Sequence, residues 1–355
     1  MPSAASISKT DFGVHKGSEV SLYRLSNASG LEVDITDFGG AVVAIRTPDR
    51  DGRSGDVILG FDDLSGYEDD LFYLGAITGR HANRISGGRF ELDGEVFRVT
   101  VNNGPNHLHG GKTGFNKKVW AAEYGVVDGD PQLRLQYVSV DGEEGFPGNL
   151  KACVIYNLTS ENELRIDYEA TTDRKTVCNL SDHIYWNLSG SAEDNVLEHE
   201  LMLFSDKFTP LNDTAVPTGE IRKVEGSAFD FRKPKKIGAG IESEDEQIVL
   251  AEGYDHNFIV RGEVGCLRPA ARAHDPESGR VLEVFTTDPG VQFYTGNFLD
   301  ESVIGKCGKP YGRRRGFCLE SQYFPDSVNR PEFLAAILRP GEKYKKTTVY
   351  RFSAK

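Results

Sequence analysis

Short runs in which apolar and polar residues alternate recur from near residue 19 to the C-terminus of this chain. A period of two is what a strand with one buried face requires. Phe90 and Leu92 alternate with Arg89 and Glu91, and Glu95-Val96-Phe97-Arg98 follows across Asp93-Gly94. That pair of residues predicts a two-residue hairpin, because such a turn needs positive φ and glycine adopts it without strain. Leu133 and Leu135 alternate within Gln132–Tyr137, and a second hairpin is predicted to join Ala152–Leu158 to Leu164–Tyr168. The last strand is predicted over Thr347–Phe352, after the turn-forming Arg339-Pro340-Gly341. Amphipathic helical patterns are few. The best is Pro331–Leu338, with proline at a helix start.

No linker-like Ser/Pro tract divides these strands, and no fixed-period repeat suggests a propeller. One large antiparallel β-sandwich over residues 1–355, with few short helices, accounts for the pattern better than two domains. The 39 glycines and 38% apolar content suit a turn-rich fold with a sizeable core. Absence of a run of about 18 apolar residues argues against a membrane-spanning helix. The start, Met1–Lys9, lacks the basic flank and apolar centre of a secretory signal. A net charge of -13 disfavours nucleic-acid partners, since it repels phosphate backbones. The basic run Arg313-Arg314-Arg315 stands among many acids and reads as a solvated loop. Five cysteines (Cys153, Cys178, Cys266, Cys307 and Cys318) are odd in number and form no CxxC pair. Reduced thiols in the cytoplasm are therefore expected.

Several segments concentrate groups capable of chemistry. Asn106-His107-Leu108-His109-Gly110-Gly111 sets two imidazoles beside a diglycine, where backbone or ligand can approach closely. Two loop histidines, one exposed and one capping a carbonyl, would fit the same residues, and a zinc site would need further ligands. In Asp182-His183-Ile184-Tyr185-Trp186-Asn187, alternation groups His183, Tyr185 and Asn187 on one face. That face could line a sugar cleft or simply meet solvent. Tyr254-Asp255-His256-Asn257-Phe258 again packs polar groups beside aromatics. Glu320, after the strand-like Gly316-Phe317-Cys318-Leu319, is a candidate general base or an ordinary surface acid. Arg84 could present a forked pair of donors to sugar oxygens or form a structural ion pair.

Taken in order, these segments resemble the aldose 1-epimerase (galactose mutarotase) family over nearly the whole chain, its animal-type cytosolic enzymes above all. The resemblance runs through Gly79–Ile85, Asn106–Gly111, Asp141–Gly148, Asp182–Asn187, Gly253–Phe258, Pro289–Asn297, Cys318–Gln322 and Leu338–Glu342. It implies a galactose mutarotase-like supersandwich with an open sugar cleft, needing no metal or organic cofactor. It further implies acid/base opening and reclosure of hexoses such as galactose and glucose. Glu320 would be the base, His183 the imidazolium acid, and His109 a neighbour of the ring oxygen or C1. Asn83, Arg84, Tyr185, Asp255 and Gln292 fall where the family contacts sugar hydroxyls. The partner implied is a monosaccharide, with the protein a monomer or at most a weak dimer. Departures are Ser181-Asp182 in place of Thr-Asn, Trp186 for Phe and Ser321 for Thr, with His81 and His107 at variable positions. Asp182 is expected to raise the pKa of His183 only if it shares its face, which alternation disfavours.

Overall fold

The computed structural model describes residues 5–192 and 194–355, so the beginning of the Met1–Lys9 stretch lies outside the described residues. Its largest unit is a nine-stranded antiparallel sheet. From one edge the order is Ala121–Val127, Asp130–Ser139, Leu150–Leu158, Glu163–Thr172, Tyr344–Ala354, Arg280–Thr286, Arg268–His274, Glu200–Leu203 and Lys235–Lys236. The predicted strands Gln132–Tyr137, Ala152–Leu158, Leu164–Tyr168 and Thr347–Phe352 fall inside this sheet, and Arg89–Leu92 pairs with Glu95–Arg98 in a separate two-stranded sheet across Asp93-Gly94, as the turn signal requires.

Alternation assigns the two faces. Leu133, Leu135, Val154, Tyr156, Leu164, Ile166 and Tyr168 are all fully buried, while their sequence neighbours are more exposed. Burying a Leu or Phe side chain contributes about 1.5–3 kcal/mol. Against that face packs a five-stranded sheet in the order Arg222–Lys223, Ser205–Thr209, Asp255–Val260, Gly290–Tyr294 and Cys318–Gln322. Phe258, Val291, Phe293 and Leu319 of this second sheet join the same core as Tyr168 and Tyr350. Another five-stranded sheet is formed by residues 6–56. Antiparallel sheets with few short helices are the architecture read from the sequence.

Helix was misplaced. Among the described residues the α-helices are Leu64–Asp69 and Glu246–Leu250, each capped by an aspartate that accepts a backbone N–H. Pro331–Leu338 is not helical: Ile337–Leu338 pairs as a strand with Thr176–Val177, and Leu334 is exposed. Eight residues are too few to hold a helix unaided, so the pairing wins.

The second sheet positions the site. Its register sets Glu320 opposite Gln292 and Gln292 opposite Asn257. One row along, Cys318, Tyr294 and Asp255 are likewise opposed. Period two sends these six polar or amphipathic side chains to one face. Leu319 and Phe293 go to the other, into the core.

Candidate active site

A cavity of about 490 Å³ opens over that polar face, of the size that holds a small ligand. His109, His183, Tyr185, Asn83, Arg84, Asp255 and Glu320 all line it. They come from five separate stretches of chain. Gln292 does not reach the wall: its amide donates to Asp255 Oδ1 at 2.7 Å and supports that carboxylate from behind. Asn187 is also elsewhere, its amide donating to the carbonyls of Asp194 and Arg315.

His183 Nε2 and Glu320 Oε1 stand 3.7 Å apart on the cavity floor, with side chains only 6% and 3% exposed. Glu320 Oε2 has no hydrogen-bond partner among the described residues. Burial pushes the Glu320 carboxyl well above the usual carboxylate range, and Asp255 and Asp182 add like-charge repulsion; Arg84 and Lys346 oppose it. Burial pulls His183 down to about 4. Burial thus acts on both groups in favour of the uncharged pair, carboxylic acid beside imidazole. Asp182 does not raise His183. Its carboxylate lies on the opposite side, accepting from the hydroxyls of Tyr168 and Tyr350 at 2.6 Å each. Cys318 Sγ lies 3.6 Å from His183 Nδ1, which leaves Nε2 for the cavity.

His109 is held by the backbone of Asn83, and both residues have positive φ (50° and 61°). The Asn83 N–H donates to His109 Nδ1 at 3.2 Å, while the His109 N–H donates to the Asn83 carbonyl, also at 3.2 Å. With Nδ1 accepting, a neutral ring must carry its proton on Nε2. Burial, then the charges of His183 and Arg84, keep this ring neutral by driving its pKa well below the ordinary value. His107 is buried and braces the loop: Nδ1 lies 2.7 Å from the Thr100 carbonyl and Nε2 accepts the Gly110 N–H at 3.1 Å. Gly110 has no room for a side chain, since a Cβ would sit 1.7 Å from the Gly79 carbonyl oxygen. Arg84 donates through Nε to Asn103 Oδ1 at 3.0 Å and approaches Asp255 Oδ2 at 3.7 Å. The ion-pair and cavity-lining readings of Arg84 are thus compatible.

Ligand atoms of His109, His183 and Glu320 lie within 4.8 Å of one another, a spacing that invites a metal reading. The donor set does not fit one. A metal needs the lone pair of a neutral imidazole nitrogen, and on His109 that lone pair already accepts the Asn83 N–H. What faces the cavity is an N–H suited to an oxygen acceptor.

Among the lining residues outside the sequence reading, Tyr73 and Asn103 touch the site's imidazoles and Arg84. Tyr73 has no distinguishing local pattern, yet its ring packs 4.7 Å from His109 and 5.9 Å from His183. Asn103 was signalled only by the turn-rich Asn102-Asn103-Gly104-Pro105 next to the histidine loop. Arg313 and Arg314 pair with Glu252 and Glu242 and do not line the cavity.

Residues 21–351 match the aldose 1-epimerase family. The chain is 46% identical to the galactose mutarotase of Bos taurus over 323 residues, 91% of each chain. It is 43% identical to that of Homo sapiens over 351 residues, 98% of this chain and 99% of the other. The crystal structure of galactose 1-epimerase from Lactobacillus acidophilus superposes with a TM-score of 0.87 at 28% identity, covering 99% of both chains. With the family match over most of its length, and two imidazoles and a carboxylate converging on one cavity, this chain belongs to the aldose 1-epimerase family.

Proposed function

We propose that this isomerase interconverts the α and β anomers of hexoses such as galactose and glucose with Glu320 and His183 as its proton-transferring pair. The observation that carries the assignment of roles is their 3.7 Å approach at the floor of a sugar-sized cavity. Glu320 takes the proton of the anomeric hydroxyl while His183 gives one to the ring oxygen. The C1–O5 bond breaks and C1 becomes an aldehyde. Rotation about C1–C2 presents the other carbonyl face, and closure reverses both transfers. The sugar thus carries the pair from carboxylate and imidazolium to carboxylic acid and imidazole, and back. Burial favours the uncharged form and attraction across 3.7 Å favours the charged one, so the two effects oppose each other. Each group contributes roughly 10²–10⁴-fold.

The Nε2–H of His109 is suited to donate to an oxygen at or next to C1, and Arg84 to hold hydroxyl oxygens and developing negative charge. Asn83, Tyr185 and Asp255 complete the wall, with Gln292 supporting Asp255. A monomeric or weakly dimeric cytoplasmic enzyme of one domain follows from this reading. Its support is the continuous core shared by the two facing sheets and the five free thiols. Polarimetry of freshly dissolved α-D-galactose or α-D-glucose tests the assignment: the wild type accelerates the approach to equilibrium rotation, and Glu320→Gln does not. Wild-type rates in that variant would remove Glu320 from the role of base.

A further inference from the structure

A lysine breaks the pattern of the core. In the nine-stranded sheet, Leu135, Val154, Tyr168 and Lys346 oppose one another on four successive strands, and the first three are fully buried core residues. Period two therefore turns Lys346 inward, and it is 4% exposed. A buried ammonium is costly unless its donors are matched.

Here the matching groups are informative. Lys346 Nζ donates to the Leu180 carbonyl at 2.7 Å and to the Ser321 carbonyl at 2.5 Å, and it pairs with Asp288 Oδ2 at 2.5 Å. Leu180 lies three residues before His183, and Ser321 directly follows Glu320. One ammonium thus ties together the two segments that carry the proton-transferring pair, from the side opposite the sugar. Two further stitches run beside it. Ser181 Oγ donates to the Ser321 carbonyl at 2.7 Å, and Tyr350 reaches both Asp182 Oδ2 at 2.6 Å and the Leu319 carbonyl at 3.4 Å. Neither stitch carries a positive charge.

We propose that Lys346 is a positioning residue for the epimerase reaction: it fixes the spacing of His183 and Glu320 by holding the Leu180 and Ser321 carbonyls together, and it places a fixed cation beneath the base. This rests on the assignment of Glu320 and His183 as the reacting pair. The charges and titrating groups around Glu320 are Tyr294 on the adjacent strand, Asp255 on the strand beyond it, Cys318 on its own strand, and His109, His183 and Tyr185 across the floor. Asp182 and Tyr350 lie beneath, and Arg84 at the wall. Those around Lys346 are Asp288, Asp182, Cys178 and the Tyr168 ring, the last 4.8 Å away. Arg84 and Lys346 are the cations whose fields favour the ionised form of Glu320.

The test is the double variant Lys346→Met/Asp288→Asn, which removes the charge pair without leaving either partner buried alone. A core variant remote from the cavity, Val154→Ala, serves as the stability control. Misplacement of a reacting group by about 1 Å costs on the order of a hundredfold. The expected result is therefore a fall in kcat of that order, with KM for galactose changed less than about threefold. Loss of the cation also makes the pair hold its protons more tightly, so the pH–rate profile should move as a whole to higher pH. Val154→Ala should lower Tm with kcat and profile unmoved. If the double variant loses no more activity than the control at matched fraction folded, with its profile in place, Lys346 is merely structural and the proposal falls. If the double variant does not fold, Lys346→Gln, which keeps one donor group and no charge, is measured for the same profile shift. A wild type that does not accelerate mutarotation would overturn the assignment of the pair instead, a distinct outcome.

Discussion

Asp182 and His183 are consecutive residues with opposite destinations. The imidazole enters the cavity 3.7 Å from Glu320, and the carboxylate points away to the hydroxyls of Tyr168 and Tyr350, 2.6 Å from each. Asp182 therefore acts on the reaction through space, as a buried negative charge that raises the proton affinity of Glu320. Asp182→Asn keeps the shape and lets the amide oxygen accept one tyrosine hydroxyl. Its pH–rate profile for galactose mutarotation should move to lower pH. A profile that stays in place would show that Asp182 is protonated and uncharged in the working enzyme.

The pair needs one proton between them, and this gives the pH dependence its sign. Burial lowers His183 to about 4, so below that pH the imidazole takes a second proton and no base remains. Burial raises Glu320 well above its ordinary range, so the shared proton is held well past the pH at which an exposed carboxylate would lose it. A bell is expected, its acid limb near pH 4 and its alkaline limb well above the range of exposed carboxylates. The limbs belong to the pair rather than to either residue. Measuring kcat/KM by polarimetry from pH 3 upward checks it, and a single acid limb with no alkaline fall would contradict it.

Removing either reacting group should abolish most turnover without unfolding the chain. Glu320→Gln and His183→Asn are each expected to lower kcat by roughly 10²–10⁴-fold. In the proposed mechanism the two transfers are concerted, so the double variant should be little worse than the worse single one. Additive losses would indicate independent steps. Circular dichroism and Tm distinguish this from a folding defect.

Arg84 meets Asp255 at the cavity wall at 3.7 Å and is 10% exposed at its side chain. A charge-assisted hydrogen bond is worth about 1.5–3 kcal/mol, so Arg84→Gln should raise KM at least tenfold. Arg84→Lys should recover only part of this, because a point charge does not reproduce the fork. An unchanged KM would assign Arg84 to the ion pair alone.

Gly110 supports His109 by leaving space. It has φ of 96°, and a Cβ there would collide with the Gly79 carbonyl oxygen. Gly110→Ala should destabilise the protein by about 1–3 kcal/mol, and should lower kcat further than Tm alone explains, since His109 is displaced with the loop. Chemical denaturation and polarimetry on one preparation separate the two effects.

The strand framework was legible because alternation and turn chemistry are local. Arg89–Arg98 shows this best, where Asp93-Gly94 and the flanking alternation both give the hairpin found. The Pro331–Leu338 helix failed because pairing of Ile337–Leu338 with Thr176–Val177 is a contact across the chain that no local window contains. Seven of the residues lining the cavity were named from family likeness, and Gln292, named with them, is found bonded to Asp255 rather than among the lining residues. It occupies the expected face and register, with its amide turned to the Asp255 carboxylate. Tyr73 went unseen because an aromatic in a loop, here beside Phe72, carries no signature of what it will touch. Lys346 escaped for a related reason: an inward lysine can be recognised only once the strand's neighbours are known.

Glu320, the proposed base, lies on Cys318–Gln322, and the floor beneath it is laid by Tyr344–Ala354, which threads between Glu163–Thr172 and Arg280–Thr286. That strand is a central one, paired along both edges by strands from earlier in the sequence. A variant cut before Tyr344 has a gap through the middle of its main sheet and nothing to carry the ammonium under Ser321. Such a truncation should be inert although it keeps every residue that lines the cavity.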